Sequence, residues 1–136
     1  MAESVNEEKI VKSEDEWQQE LPEDVFNIVR KKGTERAFTG KYEKFYEPGE
    51  YHCRCCGALL FHSDTKYDSG SGWPSFYDAN MSNIEEKTDV SWMMQRTEII
   101  CRQCDAHLGH VFEDGPQPTG LRYCVNSASL SFKDKE

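Results

Sequence analysis

The sequence predicts a mainly β, antiparallel fold with a short N-terminal helical arm, tied together by paired cysteines. Three observations carry that expectation. Helical spacing of apolar residues is confined to the first third of the chain. The remainder breaks into short strand-like runs separated by glycine and proline turns, which favours antiparallel neighbours. Two Cys-x-x-Cys knuckles, Cys53/Cys56 and Cys101/Cys104, fall among those runs.

Residues 1–12 are polar and are expected to fray. Ser13 opens Ser-Glu-Asp-Glu, a capping box with Glu16 at the third helical position, so a short helix is expected from Glu14 to Leu21. Pro22 suits the first turn of a second helix, in which Val25, Phe26 and Val29 hold helical spacing through Lys32. Arg30, Lys31 and Lys32 complement its negative end and Gly33 stops it. Trp17, Leu21, Phe26 and Val29 are the expected core of this arm. Strands are expected at Tyr51-His52, Ala58–Phe61, Val90–Met94, Glu98–Cys101, His110–Phe112, Leu121–Val125 and Ser129–Phe132. Pro48-Gly49, Ser69–Gly72 and Gly115–Gly120 are the turns between them.

A chain of 136 residues is sized for a single domain spanning 1–136. Aromatics make up 12% of it, which argues against wholesale disorder and offers large rings to fill a core. The longest strictly apolar stretch is Ala58–Phe61, far short of a membrane span. The N-terminus, MAESVNEEKI, is acidic and resembles neither a secretory signal nor a transit peptide, so a cytoplasmic location is expected. Net charge is −9, the wrong sign for neutralising phosphates, and the only dense basic group is Arg30-Lys31-Lys32. No nucleic-acid or membrane partner is expected, and nothing suggests more than a monomer.

Six cysteines without a secretory signal argue against a disulfide framework. Two residues between thiolates let one tight turn present both sulfurs to one ion. Two such knuckles complete a tetrahedron, so Cys53, Cys56, Cys101 and Cys104 are expected to hold one structural Zn2+. Gly57 suits the turn because it tolerates positive φ. Four sulfur ligands leave no open position, so this metal stabilises and does no chemistry. Cys55 reads as a bystander thiol or an alternative ligand to Cys56. Cys124 stands apart, with Arg122 beside it and His107 and His110 upstream. It is a candidate nucleophile, the bland alternative being a buried structural cysteine.

Three further features frame Cys124. In Asp68-Ser-Gly-Ser-Gly-Trp-Pro-Ser-Phe76, glycines allow close backbone approach and Pro74 stiffens the loop carrying Trp73. An indole face suits a methyl, thioether or cation, unless this is simply a core tryptophan. In Ala106-His-Leu-Gly-His-Val-Phe112, two histidines lie three apart. On a strand these do not share a face, so one is expected to serve structure and the other general acid catalysis. Asp114 is placed to orient an imidazole. On a strand Arg122, Cys124 and Asn126 would face one pocket. Thr97-Glu98 reads as ordinary solvated surface.

These segments identify the resemblance. The chain resembles the type B peptide methionine-R-sulfoxide reductases in Lys66–Phe76, Ala106–Pro116 and Gly120–Leu130, and in the placement of both knuckles. The similarity extends from about Val11 to Phe132. It implies two antiparallel β-sheets with N-terminal helices, and reduction of the R epimer of methionine sulfoxide, chiefly in proteins, as repair after oxidative damage. It implies Cys124 as the nucleophile that becomes a sulfenic acid, with His107, His110 and Asn126 as further catalytic positions. It implies Trp73 as the seat of the substrate methyl, and Asp114 and Arg122 as substrate-binding positions. Many family members carry a resolving cysteine where Ser71 stands here, and pass its disulfide to thioredoxin. Serine cannot do this. An external thiol reducing the sulfenic acid directly is the preferred reading. Cys55 as a substitute, or Ser71 as an engineered replacement, are the other two. The alternative function is a zinc-ribbon-like binding module, which would need neither Cys124 nor the histidine pair.

Overall fold

The computed structural model describes residues 10, 12–91 and 94–134. The expectation that residues 1–12 fray thus falls almost entirely outside the described residues. Helix α1 (Glu14–Glu20) starts where the capping box places it. Ser13 Oγ accepts the Glu16 N–H at 3.2 Å, and Glu16 Oε1 accepts the Ser13 N–H at 2.8 Å. Helix α2 (Glu23–Val29) follows directly, with Pro22 at its cap. Trp17, Leu21, Phe26 and Val29 are all buried, as the helical spacing requires.

The second helix ends at Val29, short of the expected Lys32. Its last i to i−4 bond is Arg30 N–H to the Phe26 carbonyl at 2.9 Å, and Gly33 N–H then closes the end on the Asn27 carbonyl at 3.0 Å. Val29 is the last side chain with a core to enter. Beyond it Lys32 turns to φ 60°, outside the right-handed helical region.

The strands are β1 (Gly49–Cys53), β2 (Leu59–His62), β3 (Lys66–Tyr67), β4 (Ser75–Phe76), β5 (Ile84–Ser91), β6 (Met94–Cys101), β7 (His107–Phe112), β8 (Arg122–Val125) and β9 (Leu130–Asp134). They form two antiparallel sheets, ordered β2-β1-β9 and β3-β4-β8-β7-β6-β5. Aromatic rings fasten the sheets face to face. Phe61 stacks on Phe76 at 4.3 Å between centroids, Tyr51 meets Phe76 edge-on at 5.2 Å, and Phe61 reaches Tyr123 at 6.0 Å. This is the ring-filled core that the composition implied.

Two strand expectations need correction. Val90 and Met94 do not share a strand. They end β5 and begin β6, with Val90 paired to Gln95 and Ser91 to Met94, while Trp92 and Met93 lie outside the described residues. The eight-residue β5 itself went unpredicted, as did β3 and β4. Glu85, Glu86, Lys87 and Asp89 are poor strand formers, and they are accommodated because β5 is an edge strand with one exposed side. Ser129, expected to start the last strand, instead ends a 3-10 turn, Ser127–Ser129, and the strand begins at Leu130. Among the described residues no helix is long and apolar enough to cross a membrane.

Candidate active site

Strand β8 lies between β4 and β7, with Cys124 opposite Ser75 on one side and His110 on the other. Alternation along β8 turns Arg122, Cys124 and Asn126 to one side, as the two-residue period requires. All three line one cavity of about 280 Å³, together with Ser71, Trp73, His107, His110 and Phe112. Trp73 is half-buried, and so is not a core tryptophan.

Both histidines line the same cavity, against the expectation that a three-residue spacing separates them. The cause is a β-bulge. Ile99 pairs with Gly109 and Ile100 with His107, so Leu108 is the extra residue on β7. The bulge rotates His107 back to the side of His110, and their ring centroids lie 5.7 Å apart.

Each imidazole has its own carboxylate. His107 Nδ1 meets Glu98 Oε2 at 2.7 Å, and His110 Nε2 meets Asp89 Oδ2 at 2.8 Å. Glu98 is therefore no solvated surface residue; it is 4% exposed. Burial raises its carboxyl, but hydrogen bonds from His107 and Lys32 outweigh this and hold it below the ordinary carboxylate range. Burial pulls the His110 imidazole below its usual value, with the Asp89 hydrogen bond opposing. Arg96 supports this second pair, with Nη2 at 3.4 Å from Asp89 Oδ2.

Asp114 orients no histidine. Its carboxylate grips Arg122, with Nε to Oδ1 at 2.9 Å and Nη2 to Oδ2 at 3.2 Å. That fork fixes a guanidinium beside Cys124. Burial is the largest influence on the Cys124 thiol and pushes it above the ordinary 9.0; the Ser71 hydroxyl and Arg122 pull the other way. The resting group is thus a thiol whose anion has two stabilisers close by.

The loop carrying Trp73 closes through Gly70 and Gly72, both at positive φ. A Cβ on Gly72 would lie 2.8 Å from the Ala37 Cβ, so only glycine lets the 37–38 segment pack there. The backbone of Glu35 then sets two cavity residues at once. Its carbonyl accepts Trp73 Nε1–H at 2.9 Å, and its N–H donates to Asn126 Oδ1 at 3.0 Å. Gly109 is the tightest point of β7. A Cβ there would run into the Cys124 carbonyl, with Cys124 C and Val125 Cα at 3.0 Å.

The four knuckle cysteines form a metal site away from this cavity. Cys53 and Cys104 sulfurs lie 3.6 Å apart, Cys56 and Cys101 3.5 Å, and all four fall within 4.8 Å of one another. A tetrahedral ion with metal–sulfur bonds of about 2.3 Å needs sulfurs roughly 3.8 Å apart, so the set fits. The knuckles are built alike. Gly57 N–H donates to the Cys53 carbonyl at 2.9 Å and Asp105 N–H to the Cys101 carbonyl at 2.8 Å, with φ of 83° and 64°. Gly57 takes the positive φ expected of it; Asp105 does the same without being glycine. Cys55 lies in the first knuckle and does not line the Cys124 cavity.

Comparison with known proteins decides the family. The SelR domain family matches residues 21–134. A peptide methionine sulfoxide reductase MsrB from Acinetobacter baylyi is 63% identical over 129 residues, covering 94% of this chain and 93% of that one. MsrB proteins from Acinetobacter baumannii and Cellvibrio japonicus are 61% identical over 129 residues and 59% over 115; these alignments cover 94% and 84% of this chain, and 93% and 82% of those proteins. The chain belongs to the MsrB family. Membership makes it an oxidoreductase and sets aside the binding-module alternative. The cavity and its supporting carboxylates also include residues that sequence reasoning missed. Asp89 and Glu98 hide in a charged, strand-poor stretch. Glu35 acts mainly through its backbone, which leaves no side-chain signature.

Proposed function

We propose that this protein reduces the R epimer of methionine sulfoxide in polypeptides to methionine, with Cys124 as the attacking group. The observation that carries the reading is the shared cavity of Cys124, Trp73 and the two histidines, in a chain of the MsrB family. A cavity of about 280 Å³ takes a methionine-sized side chain and leaves the rest of a polypeptide outside.

The chemistry follows from the groups present. The Cys124 thiol passes its proton to the neutral histidine pair, and the resulting anion, stabilised by Ser71 and Arg122, attacks the sulfoxide sulfur. The oxygen gains a proton from the histidine pair as charge builds on it. A histidine with one nitrogen bound to a carboxylate presents the other to the cavity, as acceptor when neutral and as donor when protonated. The protonated oxygen then passes to Cys124 Sγ as the transient S–S bond breaks and its electron pair returns to the methionine sulfur, leaving methionine and a cysteine sulfenic acid. Two equivalents of an external thiol then restore Cys124, releasing water and a disulfide. Ser71 lacks the sulfur for an internal step, and Cys55 lies in the metal knuckle. Thioredoxin or another thiol is the reductant in this reading. Epimer choice follows from placing the methyl on Trp73 and the oxygen toward the histidines.

The metal is zinc in this proposal. Its role is to staple the β1–β2 turn to the β6–β7 turn, a contribution to folding rather than to the reaction. We further place the protein as a repair enzyme acting as a cytoplasmic monomer of one domain.

The test is turnover of racemic, N-blocked methionine sulfoxide with dithiothreitol, followed by chiral chromatography. Consumption of the R form alone supports the proposal. Consumption of neither form by metal-replete protein, or of the S form, refutes it. Cys124→Ser should abolish turnover while metal content stays unchanged.

A further inference from the structure

The carboxylate of Glu98 is the most buried acid in the described residues that the reaction above does not use. Its register position on β6 faces Lys87 on β5 and His110 on β7. It pairs with neither in the contacts seen. Its Oε2 reaches diagonally to His107 Nδ1, at 2.7 Å, which the Leu108 bulge makes possible. Its Oε1 takes Lys32 Nζ at 3.2 Å, from the turn after α2.

Two features argue against a purely structural role. Buried ion pairs are weak contributors to stability, so a carboxylate beside a cavity needs another reason to be there. And Lys32 adopts φ 60°, a costly conformation for a non-glycine residue, at the turn that brings its ammonium to Glu98. Asp89 and Arg96 serve His110, so each imidazole meets a different carboxylate, with Lys32 bonded to Glu98 and close enough to act on Asp89 through its charge.

We propose that Glu98 is a positioning residue for the reductase reaction: clamped by Lys32, it keeps the proton of His107 on Nδ1 and so turns Nε2 toward the substrate oxygen. The inference rests on the function proposed above. The groups around Glu98 are His107 and His110 from β7, Lys87 and Asp89 from β5, Arg96 on its own strand, and Lys32.

The experiment compares wild type, Glu98→Gln and Lys32→Met in steady-state turnover with dithiothreitol, and in single turnovers without reductant to isolate the chemical step. The pH profile of kcat and the 15N imidazole shifts of His107 are measured alongside. Glu98→Gln keeps shape and loses charge. It should lower kcat roughly 10–100-fold, by analogy with lost outer-shell partners of metal-bound histidines, with KM within about threefold. In a His107→Asn background the same change should cost less than about twofold. The 15N shifts should place the proton on Nδ1 in wild type and on both nitrogens, in exchange, in Glu98→Gln. Lys32→Met, on the surface, should lower kcat about threefold in the same direction. If Glu98→Gln fails to fold, the Lys32→Met rate and the wild-type shifts decide. An unchanged kcat in both variants, an equal loss with and without His107, or a wild-type proton on Nε2 overturns the proposal. Failure of the wild type itself to reduce the sulfoxide instead overturns the assigned reaction, and the 15N shifts still test the clamp.

Discussion

Replacing Gly109 by alanine asks whether the reaction depends on the seating of β7 against β8. Gly109 has no role in proton transfer, yet its α-carbon presses on the backbone of Cys124. An added Cβ would meet the Cys124 carbonyl, with Cys124 C and Val125 Cα both at 3.0 Å. All three are backbone atoms, which cannot swing aside as a side-chain tip would. Clearing the overlap requires the strands to part by on the order of 1 Å, and a misplacement of that size can cost roughly 100-fold in rate. Overpacking of this kind also destabilises by about 1–3 kcal/mol. That corresponds to a melting-point drop of several degrees, roughly 4 °C per kcal/mol in a domain of this size. The knuckles lie elsewhere, so metal content should stay at the wild-type value. The assay is turnover of the R sulfoxide beside a thermal melt and metal analysis. If Gly109→Ala keeps both full activity and the wild-type melting point, the packing argument is wrong. If it loses activity only by losing metal, the damage lies in the knuckles and the argument again fails.

Other outcomes are expected. Because burial holds the Cys124 thiol above 9.0, its alkylation by iodoacetamide should accelerate with rising pH beyond that point. Removing the cation in Arg122→Met should push the thiol higher still and slow alkylation at pH 8 about threefold or more; faster alkylation would show the sign to be wrong. Cys101→Ala should lose metal binding and melt at least about 10 °C lower, since a metal held only by the folded chain adds its binding energy to folding. Cys55→Ser should retain metal, melting point and turnover, and a loss of recycling with dithiothreitol would instead make Cys55 a redox partner. Trp73→Ala should raise KM for the sulfoxide roughly tenfold, read from initial rates, by deleting the apolar wall of the cavity.

Much of this architecture was legible in the residues. Ser13 and Glu16 announce a helix start because a capping box is a local hydrogen-bond device. Trp17, Phe26 and Val29 announce a buried face because helical period is local too. Arg122, Cys124 and Asn126 could be placed on one side because alternation needs only one strand. The misreadings share a different character. Glu98 looked like surface, since its polarity says nothing about Lys32 and His107 waiting across the sheet. The histidines looked divided, since an ideal strand has no bulge. Asp114 looked free for an imidazole, since its true partner, Arg122, arrives only when the Gly115–Gly120 turn closes.

The chemistry available was readable along the chain: four thiols spaced for one ion, one thiol set apart, two imidazoles and an indole on a glycine loop. Spacing along a chain is enough for that, because ligand geometry in a tight turn and side-chain alternation are short-range properties. Which groups serve one another emerged from the folded arrangement. The Leu108 bulge, the edge placement of β5 and the turn at Lys32 bring Glu98, Asp89 and the two histidines into pairs. Those pairs come from segments remote in sequence, and sheet register, which no single segment encodes, sets their distances.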